Sequence, residues 1–139
     1  MPIYTLEIED NYDFDLIGIS SHEKDYRLVW AMNKRMLWRM ARIAEISVSQ
    51  KDVTSLHGQF RFEHPIEQTV ITLIDNKTQD GYFMQELQQF DYLLKIEGER
   101  KNCDDAFYKK LRSTPFVLTA FVLQIDKLKR KQNLLYEYR

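Results

Sequence analysis

Residues 91–124 read DYLLKIEGERKNCDDAFYKKLRSTPFVLTAFVLQ, and the succession of patterns within them decides the fold class. From Asp91 to Ile96 the chain reads as a strand, with Tyr92, Leu94 and Ile96 facing one way. Asp104 to Arg112 then reads as a short helix that packs through Phe107 and Leu111, with Asn102 as its expected cap. Ser113-Thr114-Pro115 stops it, because proline lacks an N–H and restricts the residue before it. Phe116 to Gln124 follows as the most apolar strand of the chain. A strand, a helix and a second strand thus succeed one another within 34 residues.

Working outward, Phe14 to Ile19 is a strand with apolar residues on both faces, Phe14 and Leu16 against Ile17 and Ile19, which suits a central position. Ser20 and Glu23 have the spacing of a capping box for the helix that follows. At about 100° per residue, Tyr26, Val29, Trp30, Asn33, Met36, Leu37 and Met40 share one face of that helix. Lys24, Arg27, Lys34, Arg35 and Arg42 lie opposite. This phase predicts a buried Trp30 and an exposed Trp38. Nothing between Leu37 and Ile46 breaks a helix, and Ile43, Ile46 and Val48 also suit extended structure, so the end of the helix stays open. Gln59 to His64 and Thr69 to Ile74 read as a strand pair turned by Pro65, and Asp75 to Gly81 as a loop. Ile3 to Ile8 alternates as a further strand, Ile125 to Gln132 suits a basic helical turn, and Leu134 to Tyr136 has the look of a docking tail.

The resulting order, β, β, α, β, β, β, α, β, predicts a single domain over 1–139 of the α+β class. The expected architecture is a ferredoxin-like or split βαβ sandwich, with an antiparallel or mixed sheet carrying two helices on one face.

Composition fits one ordinary globular domain. The chain has 139 residues, 44% hydrophobic and 29% charged, and its 20 Lys and Arg against 21 Asp and Glu leave a net charge of −1. That balance argues against a general attraction to nucleic acid or anionic membrane. No apolar run approaches the roughly 20 residues of a membrane span. One cysteine, Cys103, and an N-terminus without a signal-like core lead to the expectation of a cytoplasmic protein.

Met84 to Tyr92 reads MQELQQFDY, which resembles the signature of the small bacterial IPExxxVDY family: Glu86, Asp91 and Tyr92 fall at the named positions. Met84, Gln85 and Phe90 depart from it, and the absent proline removes a fixed φ angle. The stretches from Phe14 (FDLIGISSHEKDYRLVWAMN), Asp91 (DYLLKIEG) and Leu111 (LRSTPFVLTAF) resemble the same family in the same order. The resemblance implies no particular activity, cofactor or partner.

The residues offer few candidates for chemistry. His22, His57 and His64 show no metal-ligand spacing, and Gly18, Gly58, Gly81 and Gly98 form no phosphate loop, so no metal, cofactor or catalytic residue is expected. Glu86, Asp91 and Tyr92 are candidate binding residues, because two carboxylates five residues apart could flank a small ligand. The competing reading makes Tyr92 core, Asp91 the end of a loop and Glu86 solvated. His22 and Asp25 stand at the start of the long helix, where an anion can sit, although plain capping explains them as well. Trp38, beside the basic helix face, is a stacking candidate for nucleic acid. A solvated basic face is the plainer reading.

The expected function is therefore a non-enzymatic domain that associates with itself, as a homodimer, or with another protein. A small-ligand-sensing domain loosely like ACT-type regulatory domains comes second and an enzyme third. Membrane and nucleic-acid partners are not expected. The dimer expectation rests on exposed strand edges and on a sheet face that one helical layer leaves uncovered.

Overall fold

A computed structural model describes residues 14–98 and 103–125. The expected strand at Ile3–Ile8, the Asn102 cap, the helical turn from Ile125 to Gln132 and the tail at Leu134–Tyr136 lie outside them, Ile125 itself excepted. The chain forms β1 (Phe14–Ser20), α1 (Asp25–Met36), β2 (Ala41–Gln50), β3 (Val53–His64) and β4 (Thr69–Asp75). A two-residue ladder of β5 (Lys77–Thr78) and β6 (Gly81–Tyr82) and a 3-10 turn at Gln85–Leu87 follow. Then come β7 (Tyr92–Glu97), α2 (Asp105–Arg112) and β8 (Thr119–Leu123).

Six strands make one sheet in the order β2-β3-β4-β7-β1-β8, every neighbour antiparallel. With two helices on one face, this is the α+β sandwich that the pattern of elements predicts. The unit β7-α2-β8 is a split βαβ, because β7 and β8 run parallel with β1 inserted between them. The first crossover is wider: β1 and β2 are parallel but β7, β4 and β3 separate them. Beyond Leu37, where the sequence leaves the end of the helix open, Ala41–Gln50 form a long edge strand with a bulge between Ile43 and Ile46.

Alternation divides the core in two. Ile17, Ile19, Ile71, Leu73, Leu94 and Ile96 face the helices, where they meet Leu28, Val29, Met32 and Leu111. On the other face Phe14, Leu16, Ile46, Ile74 and Leu93 meet Phe83, Met84, Leu87 and Phe90. That second face is therefore not open, as the dimer argument required. The 83–90 segment packs on it, and even Lys95 within it is buried. Gly18 makes the packing possible, since a Cβ there would lie 2.6 Å from the Phe90 ring.

The phase of α1 differs from the expected one. Leu28, Val29, Ala31 and Met32 are buried, while Tyr26 and Trp30 stand out, Trp30 at 57% exposure. Two bulky aromatics drew the predicted stripe, but the aliphatic positions fit the sheet more closely. The helix also starts later than the capping box implied. Ser20 belongs to β1, Lys24 is the N-cap residue, and no side chain caps the helix. The helix ends at Met36, with Leu37 left-handed at φ 60°. Trp38 therefore lies beyond the helix, and the 100° step does not place it. It is half-buried against the helix-side core, 6.2 Å from Phe107. For α2, Asp104 is the N-cap, and its Oδ1 accepts from Phe107 N at 2.9 Å.

Candidate functional site

The predicted residues separate into four places. His22, Asp91 and Tyr92 come together at the end of the sheet, where they line a shallow groove of about 560 Å³ with Ser21, Glu23, Lys24 and Lys77. Two of them have structural duties there. Asp91 Oδ2 accepts from Ser21 N at 2.9 Å, and the Tyr92 hydroxyl donates to the Glu23 carbonyl. Together they fix the 21–24 loop that launches α1. Burial, followed by the charges of Asp75 and Asp25, pushes the Tyr92 hydroxyl well above the usual tyrosine range, so it stays a donor. Glu86 is apart from them, in the 3-10 turn on the opposite face. Trp38 lines a separate cavity of about 340 Å³ with Cys103, Phe107 and Lys110.

The 84–92 segment is held by Asn76, a residue that no sequence motif singles out. Asn76, completely buried, donates through Nδ2 to the carbonyls of Leu87 (2.9 Å) and Phe90 (3.0 Å). Its Oδ1 accepts from Met84 N at 2.7 Å, and its backbone exchanges bonds with Phe83 and Asp91. One amide thus satisfies three buried backbone groups of a loop that has no sheet partner of its own. The only local signal for it is an asparagine immediately after an apolar strand.

Asp25 belongs to a different cluster, on the helix side of the sheet. Its carboxyl hydrogen-bonds that of Asp75, from the end of β4, and accepts from Arg42 Nη2 at 3.3 Å. The Arg42 guanidinium lies over the Phe60 ring, 4.6 Å from its centroid. Gly58 leaves the space for this meeting, since a Cβ there would lie 2.8 Å from Asp75 Oδ2 and 3.1 Å from Arg42 Nη1. Burial, and next the bond and charge of Asp25, push the Asp75 carboxyl up to about 8 against the pull of Arg42. Near neutral pH the Asp75 carboxyl therefore keeps its proton.

The basic stripe is dispersed. Arg27 pairs with Glu23 and lies over Phe116, Arg35 donates to Ser113 Oγ at 2.8 Å, and Arg42 serves the carboxyl pair. Lys34 lies over the exposed Trp30 ring, 4.5 Å from its centroid. Among the described residues no group of three or more His, Cys, Asp or Glu has the arrangement of a metal site, and no helix is long and apolar enough to cross a membrane.

The two sheet edges differ in kind. β2 carries Arg42, Glu45, Ser47 and Ser49 and a bulge, devices that discourage another strand from pairing. β8 is TAFVL, without a charge or a bulge, and Phe121 and Val122 are about half exposed on its two faces, with Leu118 exposed just before it. Comparison with family models, with curated proteins and with solved structures finds no match for this chain.

Proposed function

We propose that this protein is a self-associating domain whose β8 edge pairs with β8 of a second copy. The observation that carries the reading is the contrast between the edges: the β2 edge is charged and bulged, whereas β8 is unbulged, uncharged and apolar on both faces. Antiparallel pairing about a two-fold axis would extend the sheet and cover Phe121 and Val122 of both copies, an isologous interface. The uncovered sheet face that first suggested a dimer no longer supports it, so the edge alone bears the argument. The likeness of residues 84–92 to the IPExxxVDY signature remains the proposed kinship, with the bacterial, cytoplasmic setting that it and the single cysteine suggest.

Light scattering after size exclusion tests the reading. The expected mass is twice 16.8 kDa at micromolar concentration, returning to 16.8 kDa in a Phe121→Asp, Val122→Lys double variant. A wild-type mass of 16.8 kDa would refute it. A second reading, a domain that senses a small anionic effector, has one observation in its favour: the sheet-end groove gathers His22, Lys24 and Lys77. Titration with inorganic phosphate, followed through the His22 ring resonances, tests that reading separately.

A further inference from the structure

Beneath the β5–β6 ladder, β3 places Ser55 and His57 on one face, two residues apart, opposite Val48 and Ile46 of β2. Ser55 Oγ lies 2.6 Å from His57 Nε2. The other ring nitrogen, Nδ1, lies 2.8 Å from the Asp75 carbonyl oxygen. A carbonyl only accepts, so Nδ1 must carry the ring proton. Nε2 is then a lone-pair acceptor, and the short bond must be Ser55 Oγ–H donating to it. The imidazole is completely buried and meets the Phe83 ring at 71°, which fixes its plane. Serine, histidine and an orienting acceptor thus stand in the relationship of a base-activated nucleophile, with a backbone carbonyl where a carboxylate commonly stands.

Ser55 also has somewhere to act. It lines a cavity of about 310 Å³ with Gln50, Lys51, Val53, Asp80, Gly81, Tyr82 and Gln85. Gly81 has φ +150°, a conformation suited to glycine, and a Cβ there would lie 4.0 Å from Ser55 Oγ. Lys51 places a cation on the wall of the same cavity.

We propose that Ser55 is a nucleophile activated by His57 that accepts the acyl group of small, neutral esters entering this cavity. Ser55 Oγ attacks the ester carbonyl carbon while its proton passes to His57 Nε2. The carbon–oxygen bond to the leaving alcohol then breaks, and that oxygen takes the proton from Nε2, leaving Ser55 acylated. A water molecule repeats the sequence, giving its proton to Nε2 as it attacks and releasing the acid as Ser55 recovers the proton. Lys51 is the cation available to the oxygen that gains charge. The base must be neutral to act. Burial of His57 lowers its pKa from the ordinary value and so favours that state, while the Asp75 carbonyl and the charges of Asp80 and Glu45 oppose the shift.

A small alkyl fluorophosphonate tests the proposal directly, because Ser55 Oγ would displace fluoride from phosphorus and the serine proton would leave with it. The expected result is one adduct per chain, mapped to Ser55 by peptide mass analysis, with turnover of p-nitrophenyl acetate blocked in the same proportion. His57→Gln keeps the Ser55 hydroxyl but removes the base, and should slow labelling by roughly 100-fold or more. Ser55→Ala, a smaller change, should abolish the adduct and leave the fold intact by circular dichroism. In the wild type the labelling rate should rise with pH through a midpoint below 6.5, so the proposal does not depend on the His57 variant folding. Failure to label Ser55, an adduct confined to another residue, or an undiminished rate in folded His57→Gln would overturn it. None of these outcomes depends on the oligomeric state.

Discussion

Replacing Asp75 by asparagine should abolish most of the loss of stability that the protein undergoes between pH 6.5 and 8. In the folded chain the Asp75 carboxyl is held up to about 8, from an ordinary 3.8, first by burial and then by the bond and charge of Asp25. Across that interval the folded state keeps a proton that the unfolded state has released. Folded stability therefore falls as pH rises, by about 1.36 kcal/mol for each unit. From pH 6.5 to 8 the ceiling is about 2 kcal/mol, and because Asp75 is only partly buried, about 1 kcal/mol is the expected loss. The window starts at 6.5 because His57 acts in the opposite sense below it. Its pKa is lowered by burial, so the unfolded chain takes up a proton that the folded one refuses, and stability falls as pH falls below 6.5. Asparagine keeps the shape of aspartate, offers Asp25 an N–H where the protonated acid offers an O–H, and cannot ionise. Its backbone carbonyl still accepts from His57. Urea unfolding at a series of pH values should give a declining curve for the wild type and a nearly level one for Asp75→Asn, with the variant more stable at pH 8. A level wild-type curve, or an equal decline in both proteins, would refute the reasoning.

Asn76→Ala should cost about 3 kcal/mol, because it strands Met84 N and the Phe90 carbonyl and leaves the Leu87 carbonyl only its bond from Phe90 N; a urea midpoint within experimental error of the wild type would show that the 84–90 loop does not depend on it. Trp30→Ala should cost less than about 1 kcal/mol, mainly the contact with Lys34. Trp38→Ala, which removes packing against Phe107 and the helix-side core, should cost about 2–3 kcal/mol. Iodide should accordingly quench a Trp38→Phe variant, which retains Trp30, more strongly than a Trp30→Phe variant, and the reverse order would place the phase of α1 in error.

The sequence alone determined the central strands and the class of fold, because alternation is a local property. Phe14–Ile19, Thr69–Ile74 and Asp91–Ile96 each carry apolar residues at a period of two, and each lies within a residue of its expected bounds. The Pro115 stop and the apolar strand after it have the same local origin. The phase and the end of α1 were not legible. Both a stripe through Tyr26 and Trp30 and one through Leu28 and Met32 are compatible with a helix, and only the shape of the sheet beneath chooses between them. Only a left-handed turn at Leu37 takes Trp38 out of helical register.

Of the candidate site residues, Asp91 and Tyr92 are neighbours in the chain, but the sequence could not bring His22 to them across some seventy positions or take Glu86 away from them. Nor could it pair Asp25 with Asp75, give Asn76 its loop, or seat Ser55 and His57 on the Asp75 carbonyl beneath a glycine. Each of these depends on hydrogen bonds between segments distant in the chain. Their energies arise only where burial removes competing water, and which groups are buried together is fixed by strand order and register. Tertiary structure alone decides those.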